Sequence, residues 1–505
     1  MLGNRIGGSS VFATRTFASV NPARPAEVLA RFPDSAEAAV DDAVAAATAA
    51  QRTWSAVPIP ERAERIAAVG GVLARDKAAL ALLVAREAGK VLIEAGGDVQ
   101  EAIDMASYVA SQGRGAWGTV HPSELADKLC WTTRQPVGVV GMITPWNFPV
   151  AIPSWKCFPA LLAGNGIVIK PSEHAPLCAE AFAAACEEAG IPAGLLNVVH
   201  GYAAPAAALA RHPGVRAVSF TGSVPTGRKV AVAAMEDGPR LVSLELGGKN
   251  AMVVLPDADL EVAADGLLFG AFGTAGQRCT STSRLVVHRD VVAELVAVVA
   301  ERAAGLVLGD PTAVGTDVGP VIDAASADRI HTMVGAAVDE GAEVVTGGRR
   351  VAVDGCEGGA FYEPTVLRGV HPGHAVARDE VFGPVLSVLE VGSLDEAVEV
   401  VNSVPYGLSA AVYTRDVNNA MRAVAAIDTG IVYVNAPTIG AEIHLPFGGT
   451  KHTGNGYREA GTRGLEQFSE TKTVYLDYSG RLQRAQIDNR PPVAGAAPPH
   501  ADREA

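Results

Sequence analysis

Residues 137–147 read Val-Gly-Val-Val-Gly-Met-Ile-Thr-Pro-Trp-Asn: a short uncharged run, Val137–Ile143, that breaks into a proline-centred polar turn. A run of that length, apolar throughout rather than alternating, reads as a strand buried on both faces. The pattern recurs. Gly166–Lys170 is a second such strand and closes on Lys170-Pro-Ser-Glu173; Leu196–Val199 is a third; Val215–Phe220 is a fourth and closes on Thr221-Gly-Ser223. Helical patterning fills the intervals at Ala175–Ala189 and Ala203–Arg211, and Pro225 opens the next helix. This strand–helix alternation predicts an α/β protein with a parallel, doubly wound sheet. Ligands of such sheets bind beyond the carboxyl ends of the strands. The polar turns at 144–147, 170–173 and 221–223 are therefore the first places to look.

Upstream, Asn21–Pro25 is turn-rich, and Ser35–Ser55, Glu61–Ala88 and Lys90 to about Ser111 read as Ala-rich helices with charges on their solvated faces. A second block of similar character runs from about Lys249 to Gly464, and a Pro/Ala-rich tail, expected to be flexible, starts near Pro491. The 505 residues exceed one ordinary domain. Hydrophobic residues at 49% supply large cores, and 19% charged residues argue against a disordered chain. A net charge of −14 without a dense Lys/Arg cluster excludes non-specific nucleic-acid binding. Apolar runs fall short of the roughly 18 residues of a membrane span, and the first twenty residues lack a signal-peptide core. Six scattered cysteines (130, 157, 178, 186, 279, 356) form neither a disulfide framework nor a zinc spacing, so no metal site is expected and a cytoplasmic location is.

Three segments carry chemistry. Gly222-Ser-Val-Pro-Thr-Gly227 follows a strand and opens a helix, which suits a phosphate but is equally a plain strand-to-helix turn. Cys279, in Gly273-Thr-Ala-Gly-Gln-Arg-Cys-Thr280, has glycines and Arg278 beside it, a setting that would expose the thiol and lower its pKa; most cysteines are inert core residues. Glu245, in Leu244-Glu-Leu-Gly-Gly-Lys249, would have a raised pKa suited to a general base if enclosed, and would otherwise be a cap or ion-pair partner.

Together with Pro145-Trp-Asn-Phe-Pro149, Lys170-Pro-Ser-Glu173, Phe220-Thr-Gly-Ser223, Gly276-Gln-Arg-Cys279, Glu380-Val-Phe-Gly-Pro384 and Pro446-Phe-Gly-Gly449, these segments occur in the order of the aldehyde dehydrogenase superfamily, which the chain resembles from about Asn21 to about Asp477. The resemblance implies a Rossmann-type cofactor domain (1–118 and 137–247), an α/β catalytic domain (248–465) and a small bridging, oligomer-forming sheet (119–136 and 466–490), ahead of the 491–505 tail. It implies NAD-dependent oxidation of an aldehyde to the acid by a homodimer or homotetramer. Cys279 would be the nucleophile, Asn147 and the Cys279 N–H the oxyanion donors, and Glu245 the base. Lys156 lies near the reacting centre and Glu459 matches a proton-relay glutamate. The cofactor would contact Ile143, Thr144, Trp146, Lys170, Glu173, Gly222, Ser223, Gly227, Leu246, Gly247, Glu380 and Phe382. The carboxylate of Glu173 at the adenosine ribose favours NAD over NADP.

For the substrate, the region around Arg278 and Gly440-Ala-Glu442 is similar to the antiquitin, or α-aminoadipic semialdehyde dehydrogenase, branch. That likeness implies a clamp of Arg278 and Glu101 on a carboxylate-bearing semialdehyde, with Trp155 and Thr280 lining the tunnel. Lys249 and His444-Leu-Pro446 depart from the branch. The alternatives are a CoA-acylating semialdehyde dehydrogenase, which Glu245 argues against, and a non-catalytic binding protein on the same fold.

Overall fold

The computed structural model describes residues 1–487; the tail at 491–505 lies outside the described residues. Five parallel strands form one sheet in the order Leu241–Glu245, Ala217–Thr221, Val139–Thr144, Gly166–Pro171, Leu196–Val198, and an antiparallel hairpin, Asn4–Ile6 with Ser9–Val11, extends its edge. Val139–Thr144 and Gly166–Pro171 are buried along their whole length, because helices cover both faces. Register aligns the strand ends: Thr144 lies opposite Pro171, and Thr221 opposite Glu245. The polar turns singled out in the sequence therefore leave the sheet along one edge.

A second sheet runs Glu343–Thr346, Thr365–Arg368, Val385–Val391, Arg284–His288, Ala251–Val254, Ser409–Tyr413, Ile431–Val434, parallel except for the bulged first pair. A separate antiparallel sheet joins Ser469–Asp477, Lys128–Pro136 and Val120–His121. Among the described residues no helix is long and apolar enough to cross a membrane.

The expected helix over 61–88 is two helices, Ile59–Arg75 and Lys77–Ala88, bent at Asp76 (φ −96°, ψ 8°). The bend costs little, because Asp76 N–H still reaches Val72 O at 3.0 Å and its own carbonyl receives Leu80 N–H at 2.9 Å. It lets two differently facing stripes, Ile66/Val69/Leu73 and Leu80/Val84, enter one core. Helical period alone does not register such a change of face.

Candidate active site

The turn after Val139–Thr144 carries Asn147 and feeds the helix Ala151–Ala163. On that helix Ile152, Trp155 and Lys156 are spaced three and four apart and so share one face. Ile152 and Trp155 line a cavity of about 700 Å3. Lys156, fully buried, donates to Ser219 Oγ at 2.8 Å and to the Glu459 carboxylate.

Glu245 ends its strand and turns its carboxylate into the same cavity, 3% exposed, with no hydrogen-bond partner on either oxygen among the described residues. The opposing wall is Gly448 of the 446–449 motif. A Cβ there would lie 2.5 Å from Glu245 Oε1, so only glycine admits the carboxylate. Burial, then repulsion from Glu459, pushes the Glu245 carboxyl well above its ordinary range, against the pull of Lys156 and Arg458.

Cys279 leaves a tight turn in which Thr274, Ala275 and Gly276 all have positive φ (53°, 51° and 69°). A Cβ on Gly276 would lie 2.1 Å from Gly383 O, so the 276–279 and 380–384 motifs meet backbone to backbone. Glu94 secures the turn: its carboxylate accepts Thr274 N–H at 2.8 Å and Arg278 Nη2 at 3.0 Å. Asn250 Nδ2 donates to Cys279 O at 2.7 Å. Asn147 Nδ2 donates to Gln277 O at 3.0 Å, which uses one of its two N–H groups. The thiol is half-buried, whereas the other five cysteines are buried.

The expected electropositive setting of Cys279 is not observed. Arg278 spends its guanidinium on Glu94 and Thr274, and burial plus the carboxylates of Glu380, Glu245 and Glu459 push the thiol upward. The Arg278–Glu101 clamp is likewise incomplete. Both residues line the cavity, but Arg278 is already paired with Glu94, 184 residues earlier in the chain.

Cys279, Glu245, Asn147, Glu459, Trp155, Thr280, Arg278 and Glu101 all meet in this one cavity, with Trp146, Gly222, Ser223, Leu246, Gly247, Glu380 and Phe382 further along it. Lys156 stands behind Glu459. Lys170 and Glu173, ion-paired at 3.2 Å, do not line it but sit at the end of the next strand. Ile143 and Gly227 are packed beneath the groove, Gly227 against Leu246, and Thr144 is buried with its hydroxyl unpartnered. The groove fits a nicotinamide dinucleotide. Ser223 starts the helix Val224–Met235 without capping it and no acidic residue occupies its first turn, so its N–H groups are available to a phosphate. Glu380, its carboxyl pushed up to about 7 by burial, accepts Gly248 N–H at 3.1 Å and faces the cavity as a hydroxyl partner.

Sequence reading missed Phe148, Tyr406, Arg329 and Phe447 in the lining, and it missed Glu94 and Asn250 as the anchors of the cysteine turn. One signal was present: Glu94, Asp98 and Glu101 form a carboxylate stripe on a single face of the otherwise Ala-rich helix Leu92–Ser111.

Residues 11–474 match the aldehyde dehydrogenase family. The α-ketoglutarate semialdehyde dehydrogenase of Haloferax volcanii is 42% identical over 91% of this chain and 95% of its own. The α-ketoglutaric semialdehyde dehydrogenase of Bacillus subtilis is 36% identical over 90% and 93%. The crystal structure of Staphylococcus aureus betaine aldehyde dehydrogenase in complex with NAD+ superposes with a TM-score of 0.92 at 31% identity, covering 95% of this chain and 96% of that one. The likeness to the antiquitin branch is not borne out by these relatives, in keeping with the occupied guanidinium of Arg278.

Proposed function

The chain belongs to the aldehyde dehydrogenase family, and from that premise we propose that it oxidises a carboxylate-bearing semialdehyde to the corresponding acid, with NAD as acceptor. The observation that carries the reading is the convergence of Cys279, Asn147 and Glu245 on one cavity that continues to Ser223.

In this reading Cys279 passes its proton to a neighbouring carboxylate, and the sulfur adds to the aldehyde carbon. The carbonyl electrons move to oxygen, where the second N–H of Asn147 and the Cys279 main-chain N–H receive them. The bound dinucleotide supplies the hydride acceptor. Loss of hydride restores the C=O bond and leaves a thioester on Cys279. Glu245 then takes a proton from water, whose oxygen adds to the thioester carbon and expels the sulfur. Lys156 and Glu459 lie behind Glu245 as an exit for that proton.

The carboxylate preference rests on the far end of the cavity. Burial, then the neighbouring Asp98 charge, pushes the Glu101 carboxyl up to about 8, against Lys90 and Arg278. At neutral pH this wall presents a neutral acid, able to donate to a substrate carboxylate, beside the Arg278 N–H groups that Glu94 and Thr274 leave unused. NADH formation across α-ketoglutaric, succinic, betaine and simple alkyl aldehydes tests the reading; equal kcat/KM for charged and uncharged aldehydes would remove it. Above about pH 8 Glu101 ionises and repels a substrate carboxylate, so KM for the semialdehyde is expected to climb with pH. In Glu101→Gln that climb should vanish.

The cofactor preference rests on Glu173. Burial opposes its ionisation, but Lys170, a backbone N–H and His174 outweigh burial and hold the carboxyl below its ordinary range. A carboxylate there accepts a ribose 2′-hydroxyl and repels a 2′-phosphate. Glu173→Gln is expected to narrow the NAD:NADP ratio of kcat/KM on the order of tenfold; an unchanged ratio would place the selectivity elsewhere. Assembly as a homodimer or homotetramer would use the open edge of Ser469–Asp477, whose Tyr475 and Leu476 are exposed.

A further inference from the structure

Lys90 and Asp98 are each 1% exposed, lie outside the cavity lining, and take no part in the steps above. Lys90 Nζ donates to Asn147 O at 3.1 Å, sits 3.5 Å from the Phe148 ring centroid and lies 3.4 Å from Asp98 Oδ2. Asp98 Oδ1 accepts the N–H of Ala151, the first residue of its helix, at 2.8 Å. One buried ion pair therefore grips the 147–151 turn at both ends. Burying two charges is a poor way to gain stability, since an apolar pair of equal volume serves the core as well. What an apolar pair cannot do is hold a carbonyl and an amide at set positions. One helical turn earlier Glu94 holds the Cys279 turn, so a single helix, Leu92–Ser111, ties down both sides of the reacting centre.

We propose that Lys90 and Asp98 are positioning residues of the oxyanion hole, acting through the main chain to aim the free N–H of Asn147 at the oxygen of the Cys279 adduct. The inference rests on the role of Asn147 proposed above. A displacement of about 1 Å there costs on the order of a hundredfold in rate. The test is the pre-steady-state burst of NADH in Lys90→Met/Asp98→Asn, in Asn147→Ala, and in the three combined, each saturated with NAD. The charge-free double variant is expected to lose at least tenfold in burst rate with KM for the aldehyde and Kd for NAD within twofold. In the Asn147→Ala background the same pair should change the burst less than threefold, because its target is gone. A folded double variant within threefold of the parent, or an equal loss in both backgrounds, would overturn the proposal. Should the double variant not fold, Asp98→Asn alone, which keeps an acceptor for Ala151 N–H, is judged by the same criteria. An undiminished burst in Asn147→Ala would instead remove the assigned role of Asn147.

Discussion

Cys279→Ala is expected to reduce aldehyde-dependent NADH formation by about 10⁴- to 10⁶-fold, the scale on which removing a covalent nucleophile acts in other enzymes. No other thiol can stand in: the remaining five cysteines are buried. The half-buried Cys279 should therefore be the one site alkylated by iodoacetamide under native conditions, and the variant should take up none. Dinucleotide affinity should hold, because Ser223 and the start of the helix Val224–Met235 lie along the groove and rest on nothing Cys279 supplies. Single-turnover absorbance with a parallel binding titration decides it. Turnover within a hundredfold of the parent would mean that carbon–sulfur bond formation is not the route.

Glu245→Gln separates the two halves of the reaction. Hydride transfer needs the adduct, not the base for water, so the first turnover should survive while hydrolysis of the thioester slows by about 10²- to 10³-fold. The trace keeps the parent's burst, and the steady phase that follows it slows by that factor. The pH dependence carries the sign. Burial and Glu459 raise the Glu245 carboxyl, and only its ionised form accepts a proton from water. Hydrolysis in the parent should therefore fall as pH is lowered through that raised pKa. The glutamine variant should lose this acid limb, since nothing titrates at the position. Mass spectrometry of the quenched protein should find the acyl group on Cys279; a variant without burst or acyl-enzyme would remove Glu245 from the hydrolytic step.

Much of the site was legible because its motifs are contact surfaces. Gly448 must be small to admit Glu245, and Gly276 must be small to meet Gly383, so glycines mark where distant segments touch. The parallel sheet was legible for a related reason: strands such as Gly166–Pro171, buried on both faces, leave no polar alternation. The state of the charges was not legible. Arg278 beside Cys279 reads as a cation for the thiol, yet its direction is set by Glu94 from another part of the chain. The same holds for Lys90 with Asn147. Local sequence gives a residue's identity, whereas its partner follows from packing between elements. Three-residue strands such as Asn4–Ile6 are too short to show any period, and the edge hairpin went unread for that reason.

The pairing of Lys128–Pro136 with Ser469–Asp477 has a consequence for biosynthesis. Arg134 and Ser469, hydrogen-bonded across these strands at 3.1 Å, are 335 residues apart. At about 5–20 residues per second, the earlier strand leaves the ribosome roughly 20–70 s before its partner. Through that interval its hydrogen-bonding edge on the partner's side is open to chaperones and to other nascent chains. If copies meet through this sheet, as proposed above, they can do so only once translation has passed residue 477.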